Sequence, residues 1–134
     1  METHKYNFIL VDDSDIDLLI NKRFIELSAL SKNVYSFLEP HALLTFLKEQ
    51  AEQLQDVVFL IDLQIPDMNG FELVQEMVKH HPDLVAKSRL FILSSSIDLE
   101  DKLNASNSKN ITAMLPKPLN IQLLKTKLET VLTK

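Results

Sequence analysis

The sequence predicts an α/β protein with a doubly wound, five-stranded parallel sheet and five helices. Two observations support this fold class. Short apolar runs alternate with segments of helical periodicity along the whole chain. The clearest runs are apolar at every position, which indicates strands that are covered on both faces, as parallel strands are.

The first predicted strand and helix lie near the N-terminus. The strand, Phe8 to Val11, is a short apolar run that stops at two acids, Asp12 and Asp13. Ser14 can cap the helix that follows, because its hydroxyl can accept a hydrogen bond from a free backbone N–H. The apolar residues of this helix keep helical spacing: Ile16, Leu19, Ile20, Phe24 and Leu27.

The second strand and helix precede the strongest strand of the chain. Val34 to Leu38 mixes apolar and polar residues and predicts a weaker strand. Pro40 suits the first turn of a helix, since proline lacks the N–H that this turn leaves unpaired. The third strand, Val57 to Ile61, is apolar throughout and ends at Asp62.

The third helix is predicted to end before Pro82, because the residue before a proline disfavours helical backbone. Leu90 to Leu93 then forms a fourth buried strand that ends at Ser94. A polar, poorly patterned helix is expected at roughly Leu99 to Ser108.

The fifth strand and the last helix complete the fold. The strand, Ile111 to Leu115, is followed by Pro116, Lys117 and Pro118. Ile121 begins the apolar stripe of the fifth helix. We expect residues 1–134 to form a single domain with no output domain.

The composition excludes several kinds of protein. The chain has 134 residues, no cysteine and one glycine, so thiolate chemistry and a glycine-rich phosphate loop are absent. A net charge of −5 with scattered basic residues argues against a nucleic-acid partner. The first apolar run is too short for a signal sequence or a membrane span, so we expect a cytoplasmic protein that has no membrane association.

Polar and charged residues follow the carboxyl ends of four predicted strands. Asp12 and Asp13 follow the first strand, and Asp62 follows the third strand. Ser94 follows the fourth strand, and Lys117 comes shortly after the fifth strand. Ligands of open parallel sheets bind at this edge, where the winding direction switches. We therefore expect these five side chains to converge, although each alone has a simpler explanation as a helix cap or a solvated residue.

Grouped carboxylates at this edge predict a particular chemistry. They repel one another unless a cation joins them, and hard oxygen ligands favour Mg²⁺ over zinc or copper. A carboxylate beside such a cation can attack phosphorus, and an ammonium and a hydroxyl can stabilise the charge on the transferred group. The predicted chemistry is magnesium-dependent acceptance of a phosphoryl group.

Four segments resemble the signature segments of response-regulator receiver domains in order and spacing. They are Ile9-Leu10-Val11-Asp12-Asp13, the stretch Ile61 to Gly70, Ile92-Leu93-Ser94-Ser95 and Pro116-Lys117-Pro118. The resemblance spans nearly the whole chain. It implies a flavodoxin-like fold with strand order 2-1-3-4-5, and a stand-alone switch of a two-component system.

The resemblance also implies a role for each site residue. Asp62 is the phosphoacceptor, Ser94 the switch hydroxyl and Lys117 the lysine of the site, followed by a cis peptide at Pro118. Mg²⁺ is held by four groups: Asp12, Asp13, Asp62 and the backbone carbonyl of Gln64. The implied donor is a phosphohistidine on a sensor histidine kinase or a phosphotransfer protein, and an unknown downstream protein reads the result. Met114 stands where many receivers carry Tyr or Phe.

Two alternatives stay open from the sequence. The acidic alternation from Asp12 to Asp17 has some likeness to haloacid-dehalogenase phosphatases, which also form aspartyl phosphates, although Asp17 stands where that family has Thr or Val. The second alternative is a pseudo-receiver that accepts no phosphoryl group and acts only as a scaffold for other proteins. The leading expectation is a signalling module and not an enzyme that turns over substrate, with slow self-dephosphorylation.

Overall fold

The computed structural model describes residues 5–132, with side chains up to residue 129. Five strands form one parallel sheet, and they are β1 (Tyr6–Val11), β2 (Ser31–Phe37), β3 (Val57–Asp62), β4 (Arg89–Ser94) and β5 (Ala113–Pro116). Their order in the sheet is β2-β1-β3-β4-β5, and every neighbouring pair is parallel. The predicted fold class and strand order are confirmed.

Each strand differs from its predicted bounds at one end or both, and β2 and β5 show how backbone pairing, and not side-chain pattern, determines the length of a strand. β2 is an edge strand whose pairing with β1 begins at Ser31, three polar residues before the apolar pattern does. β5 pairs with β4 only from Ala113, opposite Phe91. Ile111, which was predicted to begin β5, instead packs against the core from outside the strand.

The described residues contain six α-helices, one more than predicted. They are α1 (Asp15–Leu27), α2 (Pro40–Gln50), α3 (Gly70–His80), α4 (Pro82–Lys87), α5 (Leu99–Asn107) and α6 (Ile121–Leu132), with a short 3-10 turn (Ala51–Gln53) after α2. The extra helix is α4. Pro82 ends α3 as expected, but it also begins α4, since a first-turn proline gives up no hydrogen bond.

The helices cover both faces of the sheet. On one face, α1 and α6 pack on the sheet through Leu18, Ile25, Leu124 and Leu128. The other face is covered mainly by α2, α3 and α4. β1 and β3 are buried at every position and β4 at all but its first, so these strands are covered on both faces up to the carboxyl edge. Among the described residues, no helix has the length and apolar character needed to cross a bilayer.

The apolar stripe that marked α1 in the sequence does not face the core. A helical stripe of apolar residues normally marks the buried face, yet the buried residues of α1 are Leu18, Asn21 and Ile25. The stripe residues are exposed: Ile16 65%, Leu19 69%, Ile20 43%, Phe24 42% and Leu27 70%. Apolar residues occupy most of the circumference of α1, so spacing alone could not select the face that the sheet buries.

Candidate functional site

The carboxyl edge of the sheet brings together residues that are far apart in sequence. Asp12 follows β1, and its backbone N–H donates to the carbonyl of Phe37 at the end of β2 (3.1 Å). Asp62 is the last residue of β3 and lies opposite Leu93 of β4. The backbone of Lys117 is joined to the end of β4 by a hydrogen bond from its N–H to the carbonyl of Ser94 (2.9 Å). Regular strand pairing thus sets the position of each backbone.

Asp12, Asp13 and Asp62 form a carboxylate cluster. One carboxylate oxygen from each residue lies within 4.8 Å of the others. Asp12 and Asp62 are buried and Asp13 is exposed, so the cluster opens to solvent on one side. Backbone N–H groups orient the two buried acids: Ser14 donates to Asp12 Oδ1 (2.9 Å) and Gln64 donates to Asp62 Oδ1 (3.3 Å).

Lys117 places its ammonium group on this cluster. Its Nζ lies 2.9 Å from Asp12 Oδ2 and 3.3 Å from Asp62 Oδ2. The Lys117 side chain is only 18% exposed, so these pairs are partly shielded from water. The peptide bond between Lys117 and Pro118 is cis, as the sequence resemblance implied.

The surroundings change the protonation equilibria of both partners. Burial raises the pKa of Asp62, the negative charge of Asp12 raises it further, and Lys117 and the N–H of Gln64 offset only part of the rise. Burial lowers the pKa of Lys117, but the hydrogen bond to Asp12 and the charges of Asp62 and Asp12 outweigh it, so the pKa lies above its ordinary value. The lysine therefore keeps its charge at neutral pH, while burial and the charge of Asp12 disfavour the carboxylate form of Asp62.

Ser94 and Gln64 lie at the same edge but have other partners. The buried Ser94 hydroxyl donates to the carbonyl of Ser96 (2.9 Å) and accepts from the Ser96 N–H (3.2 Å). It is therefore bonded to the loop after β4 and not to the carboxylates. Gln64 contacts the site through the backbone N–H that bonds Asp62, while the carbonyl predicted to bind Mg²⁺ has no described contact there.

Asp17 is a site residue whose role the sequence did not reveal. Its Oδ2 lies 3.6 Å from Lys117 Nζ, which makes it the third acid on that lysine. In the sequence it stood out only as part of the acidic alternation from Asp12 to Asp17. A signal existed, because Asp17 lies three residues after the predicted cap Ser14, in the first turn of the helix that follows Asp12 and Asp13.

A family model of the response regulator receiver domain matches residues 8–129 of the chain. The chain is a response-regulator receiver domain. It is thus a phosphoacceptor signalling switch of the two-component type, and receivers typically bind Mg²⁺ through such an acidic cluster. Nothing in the match favours a dehalogenase-type phosphatase or a pseudo-receiver scaffold.

Solved structures agree with this membership. A response regulator receiver protein from Dyadobacter fermentans DSM 18053 is 35% identical, with a TM-score of 0.85 over 93% of this receiver and 96% of that chain. A two-component response regulator from Cytophaga hutchinsonii is 26% identical, with a TM-score of 0.90 over 98% and 100% of the two chains. The Vibrio cholerae chemotaxis protein CheY4, 21% identical, shares the fold (TM-score 0.76; 95% and 98% covered). No curated protein sequence matches this receiver closely enough to count as a relative.

Proposed function

We propose that Asp62 is the residue of this receiver that accepts the phosphoryl group, and that the donor is a phosphohistidine of a sensor kinase or phosphotransfer protein. One observation supports this choice above all. The Asp62 carboxylate lies in the carboxylate cluster and within 3.3 Å of the Lys117 ammonium, so the nucleophile and a cation for the incoming oxygens are already adjacent. Asp12 shares both features and lies closer to the lysine (2.9 Å), but Asp62 ends the central strand β3, beside the end of β4 that carries Ser94. Asp13 is exposed and has no described contact with Lys117.

The residues of the cluster fit a magnesium ion. The cluster offers three carboxylate oxygens within 4.8 Å of one another, and Mg²⁺ prefers such hard oxygen ligands. The exposed side at Asp13 leaves room for the water molecules that Mg²⁺ usually keeps. Asp12, Asp13, Asp62 and the Gln64 carbonyl would hold it. When bound, the ion neutralises charge on the phosphoryl oxygens and on the acids.

In this proposal Lys117 and Ser94 donate to a phosphoryl group on Asp62. Lys117 can donate to a phosphoryl oxygen with small movement because it already contacts Asp62. Ser94 must first leave the carbonyl of Ser96. Turning this hydroxyl toward the phosphoryl group therefore frees the loop between β4 and α5. The loop then changes conformation at the surface of α5. We propose that the unknown downstream protein binds to this surface. Met114, half-buried in β5 beside this loop, is flexible enough to follow.

The module acts as a switch in the cytoplasm and not as an enzyme with many turnovers. An acyl phosphate beside a magnesium ion hydrolyses by itself, so the signal decays slowly without a separate phosphatase. A dehalogenase-type phosphatase would instead release phosphate catalytically from small phosphate esters.

Incubation with acetyl phosphate and Mg²⁺ should add one phosphoryl group to this receiver, at Asp62. The bond should be labile in base, because it is an acyl phosphate, and EDTA should prevent its formation. Intact-mass measurement followed by peptide mapping checks both points. A label on serine or histidine would contradict the assignment to Asp62, and steady release of phosphate from p-nitrophenyl phosphate would favour a phosphatase.

We propose further that the phosphodonor protein docks on the exposed apolar stripe of α1. The stripe begins at Ile16, beside Asp17 and the opening of the cluster, and continues along the helix through Ile20. A protein donor must bring its histidine to Asp62 and bury apolar surface to bind, and this patch is continuous with the site. Positions two residues from the buried Leu18 lie about 200° around the helix, so Ile16 and Ile20 point away from the core.

Ile20→Gln should slow phosphotransfer from the cognate phosphohistidine protein by about tenfold, the usual order for loss of an apolar interface anchor. Labelling by acetyl phosphate should be unchanged, because the small donor needs no docking surface. Leu103→Gln on α5 is the matched control, since Leu103 is also an exposed apolar helix residue (53% against 43% for Ile20). Equal slowing by both variants, or loss of acetyl phosphate labelling in Ile20→Gln, would overturn docking on α1.

A further inference from the structure

Lys117 is shared among three carboxylates, and one of them lies outside the carboxylate cluster. The distances from Nζ are 2.9 Å to Asp12, 3.3 Å to Asp62 and 3.6 Å to Asp17. Asp17 belongs to the first turn of α1, and its backbone is held there because its N–H donates to the hydroxyl of the N-cap residue, Ser14 (3.2 Å). The lysine therefore links the site directly to α1.

Asp17 is the weakest of the three partners. Its side chain is 47% exposed, against 4% for Asp12 and 7% for Asp62, and its distance to Nζ is the longest. An exposed pair at this distance contributes little, since water and ions screen it. Water can also solvate the Asp17 carboxylate if the lysine leaves, whereas the buried Asp12 has no such replacement.

We propose that Asp17 is a positioning residue that holds Lys117 in the unphosphorylated receiver and releases it when a phosphoryl group arrives on Asp62. The phosphoryl group adds negative charge and three acceptor oxygens, while an ammonium has only three N–H donors. Carboxylate oxygens already lie 2.9, 3.3 and 3.6 Å from this ammonium, and the longest distance, to Asp17, is that of an ion pair and not of a hydrogen bond. A phosphoryl oxygen that draws the ammonium toward Asp62 therefore weakens the pair with Asp17 most easily. Asp17 thus lowers the affinity of the site for a phosphoryl group. This inference rests on the proposed roles of Asp62 and Lys117.

Asp15 provides an internal comparison. It lies in the same first turn of α1, is exposed, and has the same charge, yet no described contact links it to Lys117. The variants Asp15→Asn and Asp17→Asn therefore remove the same charge from the same helix end. Only the second removes a partner of the lysine.

Titration with beryllofluoride and Mg²⁺, a phosphoryl mimic, followed by NMR tests the proposal. We expect Asp17→Asn to bind the mimic about two- to five-fold more tightly than wild type, the range of an exposed ion pair. Asp15→Asn should change the affinity less than half as much, and Asp17→Glu should restore the wild-type value. Rescue by Glu would show that a carboxylate at position 17 is what matters, and the comparison with Asp15→Asn separates this from a general effect of charge at the helix end.

Three outcomes contradict the proposal. Equal tightening in Asp15→Asn and Asp17→Asn would mean that only the general charge of the helix end matters. Weaker binding in Asp17→Asn would mean that Asp17 assists the lysine. Absence of beryllofluoride binding to wild type would overturn the proposed site itself, and it is distinguishable because all variants would then fail alike.

Discussion

Asp62→Asn should abolish phosphorylation and, in the absence of Mg²⁺, raise the melting temperature by a few degrees. Phosphorylation fails because an amide cannot serve as the nucleophile. The stability gain has a separate cause. Burial and the charge of Asp12 raise the pKa of Asp62 above its ordinary value of 3.8, so the folded protein disfavours the carboxylate that neutral pH imposes. The amide removes this repulsion and keeps the shape of the side chain.

The pH dependence follows from the direction of this shift. In the folded state Asp62 binds its proton more tightly than in the unfolded state, so its contribution to stability is greatest at acid pH and falls as pH rises from the unfolded to the raised folded value. The gain in Asp62→Asn should therefore be larger at pH 7 than at pH 4, because wild type loses charge at this residue as the pH falls.

Thermal unfolding of wild type and Asp62→Asn at both pH values, with and without Mg²⁺, measures this effect. Mg²⁺ should reduce or reverse the advantage, since it stabilises the wild-type carboxylates. Glu49→Gln, which removes one exposed negative charge on α2, is the control for net charge. An Asp62→Asn protein that is less stable than wild type at pH 7 without Mg²⁺ would show that the pair with Lys117 outweighs the repulsion.

Gly70→Ala should destabilise the protein by about 1–3 kcal/mol, the usual cost of overpacking, and slow labelling by more than about tenfold. A β-carbon at this position would lie 2.9 Å from the backbone oxygen of Asp62 and 3.1 Å from the α-carbon of Leu63. Both neighbours are backbone atoms, and the N–H of Gly70 also bonds the Leu63 carbonyl (2.8 Å). The strain must therefore shift the end of β3, and a small shift of a nucleophile has a large effect on rate.

Asn69→Ala separates the two consequences of Gly70→Ala. Asn69 caps α3 in a reciprocal pair with Glu72, and its loss should cost about 1 kcal/mol. The cap lies on the exposed side of the turn and does not touch Asp62, so labelling by acetyl phosphate should stay within about twofold of wild type. Chemical denaturation gives the stability of each variant, and intact-mass time courses give the labelling rate. If Gly70→Ala is labelled as fast as Asn69→Ala, the close contact between position 70 and the backbone of Asp62 does not control the position of the nucleophile.

The pattern and order of the strands along the chain already specify the sheet and most of the site. Uninterrupted apolar strands require burial on both faces, which requires a parallel sheet between helices. Parallel strands end at one edge, so residues that follow the strands must meet there. Asp12, Asp13, Asp62 and Lys117 therefore converge for a reason that is already present in the order of the chain.

The contacts within that edge and the helix faces that are covered depend on packing between elements, which the sequence pattern does not specify. α1 is apolar around most of its circumference. Packing on the sheet buries Leu18 and Ile25 and leaves the more regular stripe through Ile16 and Ile20 exposed. The hydroxyl of Ser94 has partners in its own loop. Asp15 and Asp17 look equivalent in sequence, but the direction of α1 brings only Asp17 to Lys117. Helical spacing and strand order specify positions along an element, whereas the rotation of a helix and the direction of a side chain depend on what packs against them.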